Sequence, residues 1–155
     1  IPGTYPVFGG GGQTFTTNTF NREGTSLVIS RFGVSPHCVR VLEIPFFLND
    51  SGLTLHPVQE QSLRLNYLCV LMKTLETQVF RCASGAAQAN LTLSKFKSLR
   101  IPLPSLDNQA AYVALMDKKE QAIAALDADI ARLQERIAQC DELAQNLVAK
   151  ACDEA

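Results

Sequence analysis

From Asp107 to Lys150 the chain contains no glycine and no proline. That absence removes every strong helix breaker from the stretch, which is rich in Ala, Leu, Gln, Asp, Glu and Lys. Other absences narrow the function. No apolar run approaches the ~18 residues of a membrane-spanning helix. The five cysteines, Cys38, Cys69, Cys82, Cys140 and Cys152, include no C-x-x-C pair. Their odd number and wide spacing argue against a disulfide framework or a zinc site and for reduced thiols in a cytosolic protein. There is no G-x-x-x-x-G-K-[ST] loop, no G-x-G-x-x-G between a strand and a helix, and no acidic cluster of the kind a metal-dependent nuclease uses. The run Gly9–Gly12 is therefore a turn, one that also suits close approach of backbone to a ligand. His37 and Cys38 are adjacent, so their side chains diverge if the segment is a strand. His56 stands beside Pro57 without an evident partner. The chain is expected to be non-enzymatic and to hold no metal. It begins Ile1-Pro2-Gly3, with no initiating Met and no signal-peptide pattern, and is expected to be a piece of a longer polypeptide.

What is present divides the chain in two. Residues 1–106 carry nine Lys/Arg against five Asp/Glu, and residues 107–155 carry five against ten, so a mildly basic head precedes an acidic helix. The head reads as α/β-mixed. Ser26–Ser30 is the strongest strand candidate, Cys38–Leu42, Pro45–Leu48 and Leu53–Leu55 are further ones, and Asn49-Asp50-Ser51-Gly52 signals a turn. Leu63, Tyr67, Leu68, Leu71, Met72 and Leu75 recur at three- and four-residue steps and predict an amphipathic helix after Pro57. A loop is expected over Arg81–Gln88, a short turn capped by Ser94, and a closing strand at Leu99-Arg100-Ile101. No internal repeat is visible.

From Met116 the apolar residues fall into heptads. Position a takes Met116, Ile123, Ile130, Ile137 and Ala144, and position d takes Lys119, Leu126, Leu133, Cys140 and Leu147. Alternating steps of three and four describe a narrow two-helix seam and not the broad stripe of a helix lying on its own domain. The seam is strongest from Ile123 to Cys140 and weak at Lys119 and Ala144. Ile at a with Leu at d is the pattern of parallel dimers in isolated zippers.

Short hydrogen-bonding side chains gather near the glycine run (Thr14, Thr16, Thr17, Asn18, Asn21, Arg22) and again at Gln88 and Asn90, near Lys95 and Lys97. Asn and Gln pair with adenine, Arg with guanine, and Lys, Ser and Thr hold phosphates. Two stretches then carry a specific resemblance. Gly85-Ala86-Ala87-Gln88-Ala89-Asn90-Leu91-Thr92-Leu93-Ser94, followed by Leu99-Arg100-Ile101-Pro102-Leu103-Pro104-Ser105-Leu106-Asp107-Asn108-Gln109, closely resembles the end of a target recognition domain in the specificity subunits of type I restriction–modification systems. That family shows a G-x-x-Q-x-N loop and then an I-x-I-P-L-P segment entering a long helix. Tyr5–Gly10, Leu27–Gly33 and Tyr67-Leu68 match earlier family patterns in order. Asn108 replaces a usual Glu and Ser105 a common Pro. The family's usual opening segment is absent, and one recognition domain and one helix stand where a complete subunit has two of each.

The resemblance implies an α+β target recognition domain at residues 1–106 and a long coiled-coil spacer and dimerisation helix at 107–155. It implies that the head reads half of a split target in double-stranded DNA. Candidate contacts are Thr14, Thr16, Thr17, Asn18, Arg22, Arg31, His37, Arg40, Gln88, Asn90 and Lys95. Met116, Ile123, Leu126, Ile130, Leu133, Ile137, Cys140 and Leu147 would pair with a helix from a second copy or from the other half of the same subunit, antiparallel in this family. Methyltransferase and restriction subunits are the implied partners. No cofactor is expected on this chain, with S-adenosylmethionine on the methyltransferase, in the cytoplasm of a bacterium or archaeon. The specificity domain of a fused restriction–methylation enzyme, and a coiled-coil protein–protein adaptor with no DNA role, stand as alternatives.

Overall fold

Gly10 and Gly11 turn the chain between β1 (Tyr5–Gly9) and β2 (Gly12–Thr17), which pair antiparallel. Gly12 has φ +123°, a conformation open to glycine and strained for other residues. In this computed structural model residues 3–85 and 88–153 are described. β2 goes beyond the sequence reading, which saw only a polar run. Its Thr14-Phe15-Thr16-Thr17 sequence is β-branched and aromatic, and fits a pleated half-exposed strand.

The next elements are β3 (Ser26–Ser30), β4 (Val39–Leu42), β5 (Phe47–Leu48) and β6 (Gly52–Leu55). They complete two three-stranded sheets, ordered β2-β1-β5 and β4-β3-β6. β5 is shorter than the Pro45–Leu48 strand expected, because Phe46 pairs with Arg22 in an isolated bridge instead. All five residues of β3 are buried. Alternation sends Leu27 and Ile29 into one core cluster with Val39, Leu68, Met72 and Val79, while Val28 joins a second with Phe46 and Leu48. A strand buried on both faces reads as an unbroken apolar run, which is why it was the clearest element in the sequence.

Helices α1 (Leu65–Thr74) and α2 (Glu76–Arg81) follow. The predicted helix is α1, which starts at Leu65 and leaves Leu63 outside, and it is separated from α2 by a break at Leu75. No Gly or Pro marks the break; Thr74 Oγ1 bonds back to the Val70 carbonyl at 3.0 Å, a contact that bends helices. β7 (Ala83–Ser84) and β8 (Asn90–Leu91) form a small antiparallel ladder. Ala86 and Ala87, in the middle of the expected loop, lie outside the described residues. α3 (Leu93–Lys97) is capped by Thr92 and not by Ser94, which lies within the helix. Thr92 makes no side-chain cap bond; its hydroxyl pairs with Ser84 at 2.8 Å. The expected closing strand at Leu99–Ile101 does not form. Pro102 and Pro104 lack the N–H a ladder needs, so the segment runs irregularly while Leu99 and Ile101 pack on the core.

α4 (Leu106–Asp153) is the last element. Ser105 Oγ accepts from the Asn108 N–H at 3.4 Å, and Asp107 in the first turn suits the helix dipole. The chain forms two compact units, Ile1–Val113 and Ala114–Ala155, so the first two turns of α4 belong to the first. There the Gln109 side chain is fully buried. Its Nε2 donates to the Ser62 carbonyl (2.7 Å) and the Pro104 carbonyl (3.0 Å), and its Oε1 accepts from the Arg64 N–H (2.9 Å). Tyr112 packs edge-on against Tyr67 at 5.7 Å and shares a 2.9 Å hydrogen bond with Thr74. Tyr67 in turn donates to the Pro102 carbonyl at 3.1 Å.

In the second unit α4 is a single helix about 60 Å long. The seam residues Ile123, Leu126, Ile130, Leu133, Ile137, Cys140 and Leu147 are all exposed, and Met116 is half-buried. A row of large apolar side chains left in water is a surface that association would cover.

Candidate nucleic-acid interface

The tip of the β1–β2 hairpin is fixed from below. Ser30 Oγ (2.7 Å) and Arg40 Nη2 (3.0 Å) both donate to the Gly10 carbonyl, and Arg40 also reaches Ser30 Oγ (3.2 Å) and the His37 carbonyl (3.2 Å). A Cβ on Gly10 would meet the Phe32 carbonyl at 2.1 Å, so only glycine fits there. Gly11, by contrast, has open space around it. The guanidinium of Arg40 is therefore engaged in the fold, and that of Arg22 is too. Arg22 Nε donates to Thr54 Oγ1 at 3.3 Å, and Nη1 to the Asn21 carbonyl at 2.7 Å.

Beside that tip the segment Arg31–Val34 is held by main-chain bonds on two sides. Arg31 N donates to the Ser51 carbonyl at 2.7 Å, Leu91 N to the Arg31 carbonyl at 2.8 Å, and Val34 N to the Ala89 carbonyl at 2.8 Å. This pairing puts Phe32 opposite Asn90 in an antiparallel bridge, and Gly33 (φ +60°) next to the Gln88 amide. Arg31, Gln88 and Asn90, three of the candidate contacts, thus converge from distant parts of the sequence. Among the described residues none of their side chains has a hydrogen-bonding protein partner. The Arg31 guanidinium lies 5.0 Å from the centre of the Phe32 ring. Phe32 was not among the sequence candidates. Its signal was available, since it stands between Arg31 and Gly33, but an aromatic beside an apolar strand reads as core.

The other candidates lie around this patch. His37 is exposed, tied to it through the Arg40 bond to its carbonyl. Lys95 is exposed on α3, which directly follows β8. Thr14, Thr16 and Thr17 sit on β2, which runs away from the glycine turn and ends about 16 Å from it. Thr14 donates to the Val7 carbonyl at 3.2 Å, Thr17 lines a cavity of about 140 Å³ with Val7, Phe15, Phe47 and Asn49, and Asn18 is exposed just past the strand. The structure thus presents two strips, one on β2 and one at Arg31–Phe32 with Gln88 and Asn90.

Cys38 is not poised as a nucleophile. Burial, and then the Glu76 carboxylate, push the Cys38 thiol from its ordinary value of 9.0 up to about 11. His56 lines an apolar cleft of about 440 Å³ in which no acidic, basic or thiol side chain faces it. Among the described residues no three His, Cys, Asp or Glu side chains are placed to hold a metal, and no helix is long and apolar enough to cross a membrane. Alkylation at pH 8 is expected to label Cys140, which is exposed, and to leave Cys38, Cys69 and Cys82 unmodified until the protein unfolds. The raised Cys38 value also has a pH signature. The stability that rests on its neutral buried thiol is intact below about 9, and is lost as the pH climbs toward 11 because the unfolded thiol ionises first. Alkaline denaturation of wild type against Cys38→Ala measures this.

A mixed α/β domain presents a half-buried Arg31 with exposed Gln88 and Asn90, none with a hydrogen-bonding side-chain partner among the described residues. It is followed by a long helix with an exposed apolar seam, and these are features of a recognition protein. The chain belongs to the type I restriction modification DNA specificity domain family, whose pattern it matches over residues 2–135. It is 28% identical over 132 residues to a putative type I specificity subunit of Mycoplasma genitalium, covering 80% of this chain and 33% of that protein. With a putative type I specificity subunit of Mycoplasma pneumoniae it shares 32% identity over 105 residues, 65% of this chain and 27% of that one. A crystal structure of the type I restriction-modification S subunit from M. genitalium superposes with a TM-score of 0.68 at 26% identity, over 81% of this chain and 35% of the other. The chain thus spans about a third or less of the length of these relatives.

Proposed function

We propose that this chain reads one half of a bipartite sequence in double-stranded DNA, as the specificity part of a type I restriction–modification assembly. The observation that carries the reading is the patch of Arg31, Gln88 and Asn90, presented without internal partners on a backbone fixed by Ser51 and by the bridge between Phe32 and Asn90, in a member of a DNA specificity family. Lys95 with Thr16 and Thr17 of β2 would add phosphate contacts that position the duplex without reading it. The chain performs no chemistry in this scheme. Methyltransferase subunits dock beside it and hold S-adenosylmethionine, a restriction subunit cleaves, and α4 pairs with a second helix along the seam from Met116 to Leu147. A DNA-bound role of this kind belongs in the cytoplasm of a bacterium or archaeon.

The test is retention on random-sequence duplex at increasing salt, for the chain alone and assembled with a methyltransferase. Affinity is expected to fall with a log–log slope of about −0.9 for each phosphate neutralised. Lys95→Ala is expected to reduce that slope by about one and to weaken all sequences alike. A chain with no salt-dependent DNA affinity in either state is an adaptor of proteins and not a reader of DNA.

A further inference from the structure

Exposed aromatic rings are found at three places in the first unit, and they differ in their surroundings. Phe20 is packed against Tyr5, with ring centroids 4.9 Å apart. Phe15 leans over the cavity shared with Val7 and Phe47. Phe32 is 42% exposed and has the Arg31 guanidinium over its ring. Its backbone makes no bond with Asn90; the bonds flank the pair, from Leu91 N to the Arg31 carbonyl and from Val34 N to the Ala89 carbonyl. The Leu91 bond flanks the pair as in the non-hydrogen-bonded type of antiparallel pair, while the second comes from Val34, one residue past Gly33, so the ladder is offset there. Cross-strand partners in a bridge present their side chains on one face. Phe32 and Asn90 are therefore cross-strand neighbours. The Arg31 guanidinium lies over the ring, and the Gln88 amide is next to Gly33.

We propose that Phe32 and Asn90 together read one A·T base pair in the major groove, the ring against the thymine 5-methyl group and the Asn90 carboxamide on adenine N6 and N7. The proposal rests on the DNA-reading role above. The chemistry selects this pair over the other. Guanine is read by a free guanidinium fork, and the Arg31 fork is held over a ring; cytosine is read by a carboxylate, and this cluster has none. An apolar contact for the methyl group and a donor–acceptor carboxamide for the purine are the two features by which an A·T pair differs from G·C in the major groove, and here they are neighbours on one ladder. The support beneath them is rigid. Phe32 N and Arg31 N both point at the Ser51 carbonyl, and the Phe32 carbonyl abuts Gly10.

The experiment is selection of bound sequences from a random duplex pool by the full chain. It is followed by binding of the selected duplex with deoxyuridine in place of each thymidine, or 7-deazaadenine in place of each adenine, one position at a time. One A·T pair is expected at which both replacements weaken wild type roughly tenfold. At that pair Phe32→Ala is expected to be indifferent to loss of the methyl, and Asn90→Ala to loss of N7. Because the two base analogues act on the unmutated protein, the result does not depend on how the variants fold. If every selected A·T pair tolerates both analogues, or if both variants weaken all sequences equally, the proposal is overturned while DNA reading stands. If wild type enriches no sequence, DNA reading itself fails and takes this proposal with it.

Discussion

Mild oxidation of the Ile123→Cys variant, with Cys152→Ser to remove the thiol nearest the C-terminus, is expected to produce a covalent dimer joined between the introduced thiol and Cys140 of a second copy. The expectation comes from the self-complementarity of the seam. When α4 is laid antiparallel on itself, one register matches every core position at once. Met116 meets Leu147, Lys119 meets Ala144, Ile123 meets Cys140, Leu126 meets Ile137 and Ile130 meets Leu133. The long Lys119 stem then crosses small Ala144, and β-branched Ile123 sits on the slimmer Cys140, so bulk is complemented along the whole seam. Asp129 also falls near Arg136 of the other copy, twice by symmetry, although Glu120 and Asp141 face each other unfavourably. Asp129 already bonds Arg132 on its own helix at 3.0 Å, so these exposed charges contribute little, and the apolar seam decides. A parallel dimer would instead oppose Lys119 to Lys119 and Cys140 to Cys140, and would cross-link without any substitution.

Every seam substitution occurs twice in a dimer of identical chains, and the two Ile130 copies lie together beside the symmetry centre. Ile130→Asp is expected to weaken self-association by about 3 kcal/mol or more, a hundredfold or greater, from lost burial of the pair with Leu133. Solution mass across a concentration series measures it. A dimer that cross-links through wild-type Cys140 means the parallel arrangement. No cross-link in either form means that the covering helix belongs to another polypeptide segment.

Gln109→Leu is expected to be strongly destabilising in the first unit. It keeps the volume and removes three hydrogen bonds in a site with no exposure, stranding the Arg64 N–H and the carbonyls of Ser62 and Pro104. Unsatisfied buried groups cost about 1–3 kcal/mol each, so a loss of about 3 kcal/mol and a fall of about 10 °C in Tm are expected. Gln109→Glu separates the role of the acceptor from that of the donors. Its carboxylate still accepts from Arg64 but faces two carbonyls as a buried anion, and burial raises its pKa above the ordinary carboxylate value. Its deficit is therefore largest at neutral pH and shrinks as pH falls through that raised value and a donor returns. Thermal melts of both variants at pH 7 and pH 5 check this. A Leu variant as stable as wild type would mean that the three bonds do not hold the start of α4 against α1.

Elements that bury one pattern were legible in the residues. β3 showed because both its faces are covered, and the heptads of α4 because nothing interrupts them. β2 did not, since Gln13 and the threonines read as a polar loop until the glycine turn folds them back on Tyr5–Gly9. Leu99–Ile101 looked like a strand from its apolar content, and the prolines that follow outweighed it. The candidate site divides in the same way. Arg31, Gln88 and Asn90 could be named from residue type, but their convergence depends on a bridge between segments far apart in sequence. Arg22 and Arg40 could equally be named, and no sequence pattern shows that a guanidinium already has its acceptors. Gln109 was visible only as a letter in a family motif; its burial runs against its polarity and follows from three partners on other segments.

In the proposed DNA-reading role, the patch at Phe32 would separate the groups that hold from the groups that read. Among the described residues every hydrogen bond that fixes Arg31–Val34 and Ala89–Leu91 is a main-chain bond, while the side chains of Phe32, Gln88 and Asn90 are exposed and that of Arg31 lies over the Phe32 ring. Exchanging those four side chains leaves each of these supporting bonds in place. If those side chains read DNA as proposed, such a surface could be rewritten one letter at a time, each intermediate folding as its predecessor did, so a lineage could wander between targets without crossing a valley of unfolded chains.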